Sequence, residues 1–364
     1  MSIALGPGAV AVEAIDPTAI DAGVAAHYGD PLREQRVLAT TVGLVDRGNR
    51  GVVAVPGEDR LTWLHSLTTQ HLSGLTPLSG TELLVLSPHG HVEQHAVVLD
   101  DGSTTWLDIE PGSSGALLDF LNRMRFLMRV EPTDRGADVA VLSLVGPSSV
   151  EALAALGVAA PAAPQVAPVP GAKFASGSVP VGPTTRYAAV PLPGGGHVRA
   201  MSYGYDLLVP RSAVAGLVAA AGVPLAGLWA FEALRVADRR PRLGFDTDHR
   251  TLPAEVGWLA GAVHLDKGCY RGQETVARVH HLGRPPRRLV LVHLDGASDE
   301  LPRPGTPVTT VAAGSTVEGR AVGVTGTAAH HYELGPIALA LVKQNVPVDA
   351  ALRIGATAAA IDPA

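Results

Sequence analysis

Lys267-Gly268-Cys269-Tyr270-Arg271-Gly272-Gln273-Glu274 is the stretch on which the reading of this chain turns. It holds the single cysteine of 364 residues and one of only three lysines, against 25 arginines. Arg278, His280, His281 and Arg284 follow, then the corner Pro285-Pro286-Arg287-Arg288. Two glycines flank the thiol, where backbone can come close to a ligand. Lys267 and Arg271 are neighbouring cations, which favour the reactive thiolate. The competing role for Cys269 is that of a small buried hydrophobe. Gln273 and Glu274 can bind a polar ligand, or can simply open a helix that continues through Val276 and Val279, where an acid is favoured.

Composition narrows the classes. The chain is 46% hydrophobic and 17% charged, so it can bury a sizeable core and is long enough for two or three domains. A net charge of −6 argues against coating nucleic acid through a bulk field. One cysteine makes no internal disulfide, suits a reducing cytosol, and excludes four-cysteine zinc or iron–sulfur ligation by this chain alone. Met1 to Ile15 lacks the basic n-region of a signal peptide. Ala152 to Ala172 carries Pro161, Pro164, Pro168 and Pro170, which a spanning helix does not tolerate together; it reads as a linker. Ser212 to Phe231, interrupted by Gly222 and Pro224, reads as two short helices of a soluble protein. Arginine excess is what a GC-rich genome produces, so Lys267 suggests a place that wants a compact ammonium.

Along the chain, helices are predicted over Pro31–Thr41, after the turn Pro56-Gly57-Glu58-Asp59 to about Thr68, and over Ser114–Phe126, with Leu117, Leu118, Leu121, Met124 and Met128 at helical spacing. Thr81–Ser87 and Val92–Leu99 read as a hairpin around Pro88-His89-Gly90-His91, followed by a strand over Thr104–Ile109. Val139–Val145 opens a second unit, with Ser148 or Ser149 as helix cap. Strands over Thr185–Val190, His197–Ala200 and Tyr205–Val209 and a helix from Ser212 complete it. From Arg288 onward, Leu289–Leu294, Thr306–Val311, Thr316–Thr327, Ile337–Lys343 and Ala351–Ile354 are short β-prone runs separated by Gly and Pro, as in a small antiparallel barrel or sandwich. The expected fold class is α+β.

Several chemistries fail on spacing. No Gly-x-Gly-x-x-Gly, phosphate loop or Gly-x-Ser-x-Gly elbow is present. His89, His91 and His95 flank a hairpin without a convincing fourth ligand, and His280-His281 and His330-His331 diverge, so no metal site is assigned. Trp229 and Phe231 precede Glu232 and Arg235 on one helix, where a flat heterocycle could stack, although core packing is the commoner role. Arg235, Arg239, Arg240, Arg242, Arg278, Arg284, Arg287 and Arg288 could hold an oligo-anion if they meet in space, or lie on a solvated surface balanced by Asp238, Asp246, Asp248 and Asp266.

The eight-residue stretch, followed by Val276-Ala277-Arg278, resembles the signature of the YgfZ-type folate-binding proteins, paralogues of the glycine cleavage T protein (aminomethyltransferase). Fainter echoes run through Val55-Pro56-Gly57-Glu58-Asp59, Leu234-Arg235-Val236 to Pro241, Pro304-Gly305-Thr306-Pro307-Val308, Val322-Gly323-Val324-Thr325 and Pro336-Ile337-Ala338-Leu339-Ala340; Arg-Pro-Pro-Arg-Arg suggests the actinobacterial branch. The resemblance implies a three-domain ring around a folate cavity. Two ferredoxin-like α+β subdomains (about 56–137, and 1–55 with 138–284) would form region 1–284, and an antiparallel β-barrel would form 285–364. It implies tetrahydrofolate as cofactor, bound near Trp229, Phe231, Glu232, Arg235 and Tyr270. It implies support of iron–sulfur enzyme assembly or repair and of tRNA modification through Cys269, with Lys267, Gln273, Glu274 and Arg278 shaping the site. Iron–sulfur enzymes or their assembly factors are the implied partners, with tRNA contact through Arg284, Arg287 and Arg288 as a further one. The expected location is cytoplasmic, without a membrane.

Two departures from the T protein stand out. Its pterin-binding acid corresponds to Ala237, with Asp238 adjacent, and its catalytic Asp-Asp pair corresponds to Gln94 and His95. Gln cannot exchange protons and His95 reads as a poor substitute, which disfavours glycine cleavage. A tetrahydrofolate-dependent one-carbon transferase acting on another substrate, and an RNA- or protein-binding module built on the arginines, remain as alternative readings.

Overall fold

The computed structural model describes residues 8–167, 184–297, 300–311 and 318–363. The end of the expected linker, 168–172, and residues 316–317 of an expected strand lie outside them. Strands from the first two units join edge to edge, where Tyr187 pairs with Gly80, giving one twelve-stranded sheet. Each half of that sheet keeps its own core. In the first half, Gly51–Pro56, Ser79–Leu86, Val92–Asp100 and Thr104–Ile109 put Val53, Val55, Leu83, Val85, Ala96, Val98, Leu107 and Ile109 against Trp63, Leu64, Leu117, Phe120 and Leu121 of the helices Arg60–Leu67 and Ser114–Arg123. In the second half, Val139–Val145, His197–Met201 and Gly204–Pro210 pack on the helices Ser149–Ala155 and Val214–Ala221. Each aliphatic side chain so buried contributes about 1.5–3 kcal/mol.

The strands of the first hairpin are apolar on both faces, and this positions the site. Their second face presents Leu84, Leu86 and Val92 to Val256, Trp258, Leu259, Tyr270 and Val276, with Leu341 arriving from the C-terminal domain. The signature stretch therefore packs on the back of the hairpin. The helix Leu228–Ala237 wedges between domains. Leu228, Ala230 and Phe231 pack with Leu38, Val45 and Val145, while Val236 packs with Leu291, Ile337 and Leu339.

The C-terminal strands Arg287–Leu294, Pro307–Val311, Glu318–His331, Gly335–Lys343, Ala351–Ile354 and Thr357–Ile361 form a closed antiparallel barrel. Closure depends on the last strand, which pairs with both Ala351–Ile354 and Arg287–Leu294.

Local expectations needed some correction. The helix from Ser114 stops at Arg123, and Phe126 adopts φ 43 with its ring exposed. Neither Ser148 nor Ser149 caps the following helix; the Ser149 hydroxyl donates to the Gly146 carbonyl instead, at 2.6 Å.

Candidate functional site

The signature stretch is built as a clamp. After the short helix Trp258–Ala262, the His264 amide donates to the Thr69 carbonyl at 2.9 Å. The Lys267 side chain is buried, and its ammonium donates to the carbonyls of His65, Thr68 and Gln70. Burial pushes that group down to about 8, while three converging carbonyls favour the proton. Tyr270 is buried beneath, 5.1 Å from the Lys267 Nζ at its ring centre. Gly272 adopts φ +80, and a Cβ there would sit 2.6 Å from the Ser87 carbonyl oxygen and 2.8 Å from Gly90 Cα. Two glycines thus let the stretch and the hairpin turn touch backbone to backbone.

Cys269 is exposed at the apex of this clamp. Glu274 and Arg278 are exposed on the helix Gln273–Leu282. Gln273 reaches back to the Lys267 carbonyl, at a loose 3.4 Å. Arg271 pairs with Glu93 at 3.1 Å. The Lys267 ammonium is thus committed to the first domain's carbonyls, and none of residues 267–278 lines the central cavity described next.

That cavity, about 340 Å³, lies where the two sheet halves meet the helix Leu228–Ala237. Its aromatic surfaces include Tyr187, Tyr203, Phe231 and Trp258. Charged groups from both halves of the sheet and from the helix Leu228–Ala237 and its following loop lie in and around its wall in alternating sign. Arg199, fully buried, bridges Asp108 at 2.7 Å and Asp206 at 2.8 Å. Arg47 contacts Asp206 at 3.3 Å and the Tyr203 hydroxyl at 2.9 Å. Arg50 joins Asp108 to Glu110. Arg242 takes Glu110 at 2.8 Å, Glu232 at 3.1 Å and Asp21 at 2.8 Å. Arg235 binds Glu232 and Asp246 and reaches Thr327 of the barrel at 2.6 Å.

For Glu110, burial pushes the carboxyl up, but Arg50 and Arg242 outweigh it and hold it at about 2. For Glu232, burial is likewise outweighed, by Arg235 and Arg242, with the same result of about 2. Buried ion pairs of this kind return little net stability yet are costly to break. Arg199, joining Asp108 of one sheet half to Asp206 of the other, ties the two halves together, and hydrogen bonds from Arg235 and to Asp246 tie the helix and the loop after it to Thr327 of the barrel.

The turn after the helix aims two of these arginines. Arg239 takes a left-handed φ of 55, a C-terminal conformation usually left to glycine, and turns the chain so that Arg240, Pro241 and Arg242 line the cavity. The Arg240 guanidinium lies 4.6 Å from the Tyr203 ring centre and 5.6 Å from that of Phe231. Burial lowers its pKa. Its Nε has no hydrogen-bond partner; Asp238 stands 3.4 Å away but not in hydrogen-bonding geometry. Asn49, also in the lining, has a partnerless buried Oδ1.

The remaining candidates separate. Phe231, Glu232 and Arg235 line the cavity. Trp229, two residues from Phe231 and so on another face of the helix, instead opens onto a second, apolar cavity of about 860 Å³ beside the barrel, with His27 5.5 Å away. Tyr270 belongs to the core cluster behind the hairpin. Ala237 packs with the barrel strands. The arginines do not form one patch: Arg235 and Arg242 are buried in ion pairs, and Arg287 is held by Asp248 at 2.6 Å and Glu255 at 2.8 Å.

Glu82, Tyr187 and Trp258 in the cavity wall are missing from the sequence reading, which took His95 only as a rejected metal ligand and a poor substitute for an acid. Strand alternation was the available signal for Glu82 and His95. His95 shares a face with Val97, and the register sets Leu84 opposite His95 and Glu82 opposite Val97.

No family model matches the chain. It is 26% identical over 283 residues to a putative chloroplastic transferase of Arabidopsis thaliana, a match covering 78% of this chain and 60% of that protein. The chain thus spans less than two thirds of that relative's length. It is 28% identical over 294 residues to an aminomethyltransferase of Symbiobacterium thermophilum, covering 78% of this chain and 75% of that one. Among solved structures, the glycine cleavage system aminomethyltransferase T of Bartonella henselae superposes with a TM-score of 0.75 at 17% sequence identity, over 97% of this chain and 92% of that chain. The fold is therefore that of the glycine cleavage T protein, and the relatives support placement in that superfamily. No helix among the described residues is long and apolar enough to cross a membrane.

Proposed function

We propose that this chain is a folate-binding member of the aminomethyltransferase superfamily, of the YgfZ type, that receives the pterin of tetrahydrofolate in its central cavity. One observation carries the reading. The cavity wall offers the aromatic faces of Tyr187, Tyr203, Phe231 and Trp258 for a flat heterocycle, together with the polar side chains of Arg240 and His95. A pterin edge has both donors and acceptors to meet such side chains, and its bicyclic face can stack on the aromatic rings. A volume of about 340 Å³ accepts the bicyclic head and leaves the glutamyl tail toward solvent. Reduced folate would supply the one-carbon chemistry; the protein would bind, orient and exclude water. Tetrahydrofolate added to the protein should quench tryptophan fluorescence, and Trp258→Phe should remove most of that quench. A saturable quench that survives Trp258→Phe unchanged would move the ligand out of this cavity.

A second role rests on Cys269. The only thiol is exposed beside the buried Lys267 and away from the cavity lining, where a macromolecular partner can reach it. That supports maintenance of iron–sulfur enzymes, including those that modify tRNA, in the cytoplasm. In cells lacking the native protein, a Cys269→Ala variant should fail to restore iron–sulfur enzyme activities. Full restoration would remove the thiol from the account.

A further inference from the structure

The hairpin places an imidazole in the cavity wall with its proton fixed. His95 Nε2 lies 2.9 Å from Glu82 Oε2, and Glu82 Oε1 accepts the hydroxyl of Tyr187. The His95 ring stacks on Trp258, 4.6 Å between centres and 16° between planes. Its other nitrogen, Nδ1, has no protein partner in the described structure and is not among the sealed, partnerless atoms, so it remains open to the cavity. Burial raises the Glu82 carboxyl, but hydrogen bonds and charge from His95, then Tyr187 and Arg199, bring it below its ordinary value. A carboxylate can only accept, so Nε2 must donate. The neutral ring therefore carries its proton on Nε2 and turns the Nδ1 lone pair to the cavity.

We propose that His95 is the proton-transfer residue of the cavity and that Glu82, itself held by Tyr187, is the residue that positions it. The site lies where a catalytic acid is expected by resemblance, so what looks on sequence like a poor substitute has the parts of an oriented base. The ligand class is one with an N–H beside the ring. As that nitrogen's lone pair bonds to the one-carbon unit, the N–H proton passes to Nδ1, the N–H electron pair stays on the nitrogen as its new lone pair, and the imidazolium keeps its Nε2 proton on Glu82; in the reverse direction Nδ1–H returns the proton as the carbon–nitrogen bond breaks and the one-carbon unit passes to ammonia. In this form the inference rests on the folate reading above. The charged or titratable groups that face His95 are Glu82 and Tyr187 from the adjoining strands; Arg199 stands behind them, already paired to Asp108 and Asp206. Trp258, from its own helix, is uncharged.

The test begins on the full chain without ligand. Nitrogen-15 NMR of labelled histidine, with the His95 signal assigned by its loss in His95→Gln, should show the Nε2–H tautomer of the neutral ring. Glu82→Gln turns an amide donor or a neutral carbonyl to the ring and should change that tautomer population; Tyr187→Phe should shift it less. A wild-type Nδ1–H tautomer, or a tautomer indifferent to Glu82→Gln in a folded variant, overturns the proposal. The second readout is the release of tetrahydrofolate from its 5,10-methylene form with ammonium as acceptor. His95→Gln should slow it about 10²–10⁴-fold and erase one limb of its pH–rate profile, while tetrahydrofolate binding, read by fluorescence, weakens less than about tenfold. Binding without any wild-type acceleration, or an unchanged profile in His95→Gln, also overturns the relay. Absence of binding instead defeats the folate reading, and the tautomer measurement still decides the relay.

Discussion

Replacing Lys267 by Met keeps the apolar stem and removes the ammonium that joins the signature stretch to the first domain. Three carbonyls, of His65, Thr68 and Gln70, converge on that one group, and Met offers no donor. Bonds to a charged group are worth about 1.5–3 kcal/mol each but share one donor atom, so the net loss is about 3 kcal/mol. An unfolding entropy of about 2.1 cal/mol/K per residue gives about 760 cal/mol/K for 364 residues, so Tm should fall by about 4 °C if the chain unfolds as one unit. Lys267→Arg should not rescue it, because a planar fork does not fit carbonyls arranged around a point. The pH dependence has a definite sign. Burial holds the folded pKa at about 8 against an ordinary lysine value of 10.5, so the unfolded chain holds this proton more tightly between those values. Wild-type stability should therefore gain with rising pH across that window relative to Lys267→Met, and the gap between the two should widen. Calorimetric melts at pH 7 and pH 9.5 check both points. A Lys267→Met protein that melts with the wild type at pH 7 would refute the clamp.

Arg242→Met leaves Glu110 with Arg50 alone, Glu232 with Arg235 alone and Asp21 without an ion partner among the described residues, which should cost about 1.5–3 kcal/mol at neutral pH. Glu110 and Glu232 are held at about 2, below their unfolded values, so they stabilise the fold above about pH 4.3 and lose that contribution as pH falls toward 2. Denaturant midpoints at pH 7, 5 and 3 should show the wild type losing more stability on acidification than Arg242→Met does. Gly272→Ala places a methyl group 2.6 Å from the Ser87 oxygen in a left-handed backbone, and should destabilise by about 2 kcal/mol or more in the same assay.

Much of the fold was legible, because most strands signal themselves locally. Thr104–Ile109 and Val139–Val145 fall where alternation and flanking turns put them. Thr357–Ile361 was missed: Thr-Ala-Ala-Ala-Ile has little β-branched character, and its strand state comes from the two neighbours it joins in closing the barrel. The end of the helix at Arg123 was blurred for a related reason, since Met124 and Met128 continue the apolar period after the backbone has turned. The site divides in the same way. Residues 267–274 declared themselves as one contiguous motif, but the cavity is assembled from Arg47, Glu82, His95, Tyr187, Phe231 and Arg242, whose proximity follows from strand register and domain docking. The eight arginines read as one cluster because a sequence lists charges without their partners: Asp21 and Glu110, which take Arg242, stand far away in the chain, while Glu232 and Asp246, which take Arg235, are near in sequence but are paired only once the helix and the following loop are in place.

The central claim is that the cavity at the domain junction takes a reduced pterin. Its most direct measure is a calorimetric titration of tetrahydrofolate into the wild type, Arg240→Leu and Cys269→Ala. The account predicts one saturable site in the wild type, weakened about tenfold or more in Arg240→Leu, where a cationic side chain of the cavity wall is lost, and unchanged in Cys269→Ala, whose thiol lies outside the cavity lining. No binding to a folded wild type, or equal affinity in Arg240→Leu, would contradict it.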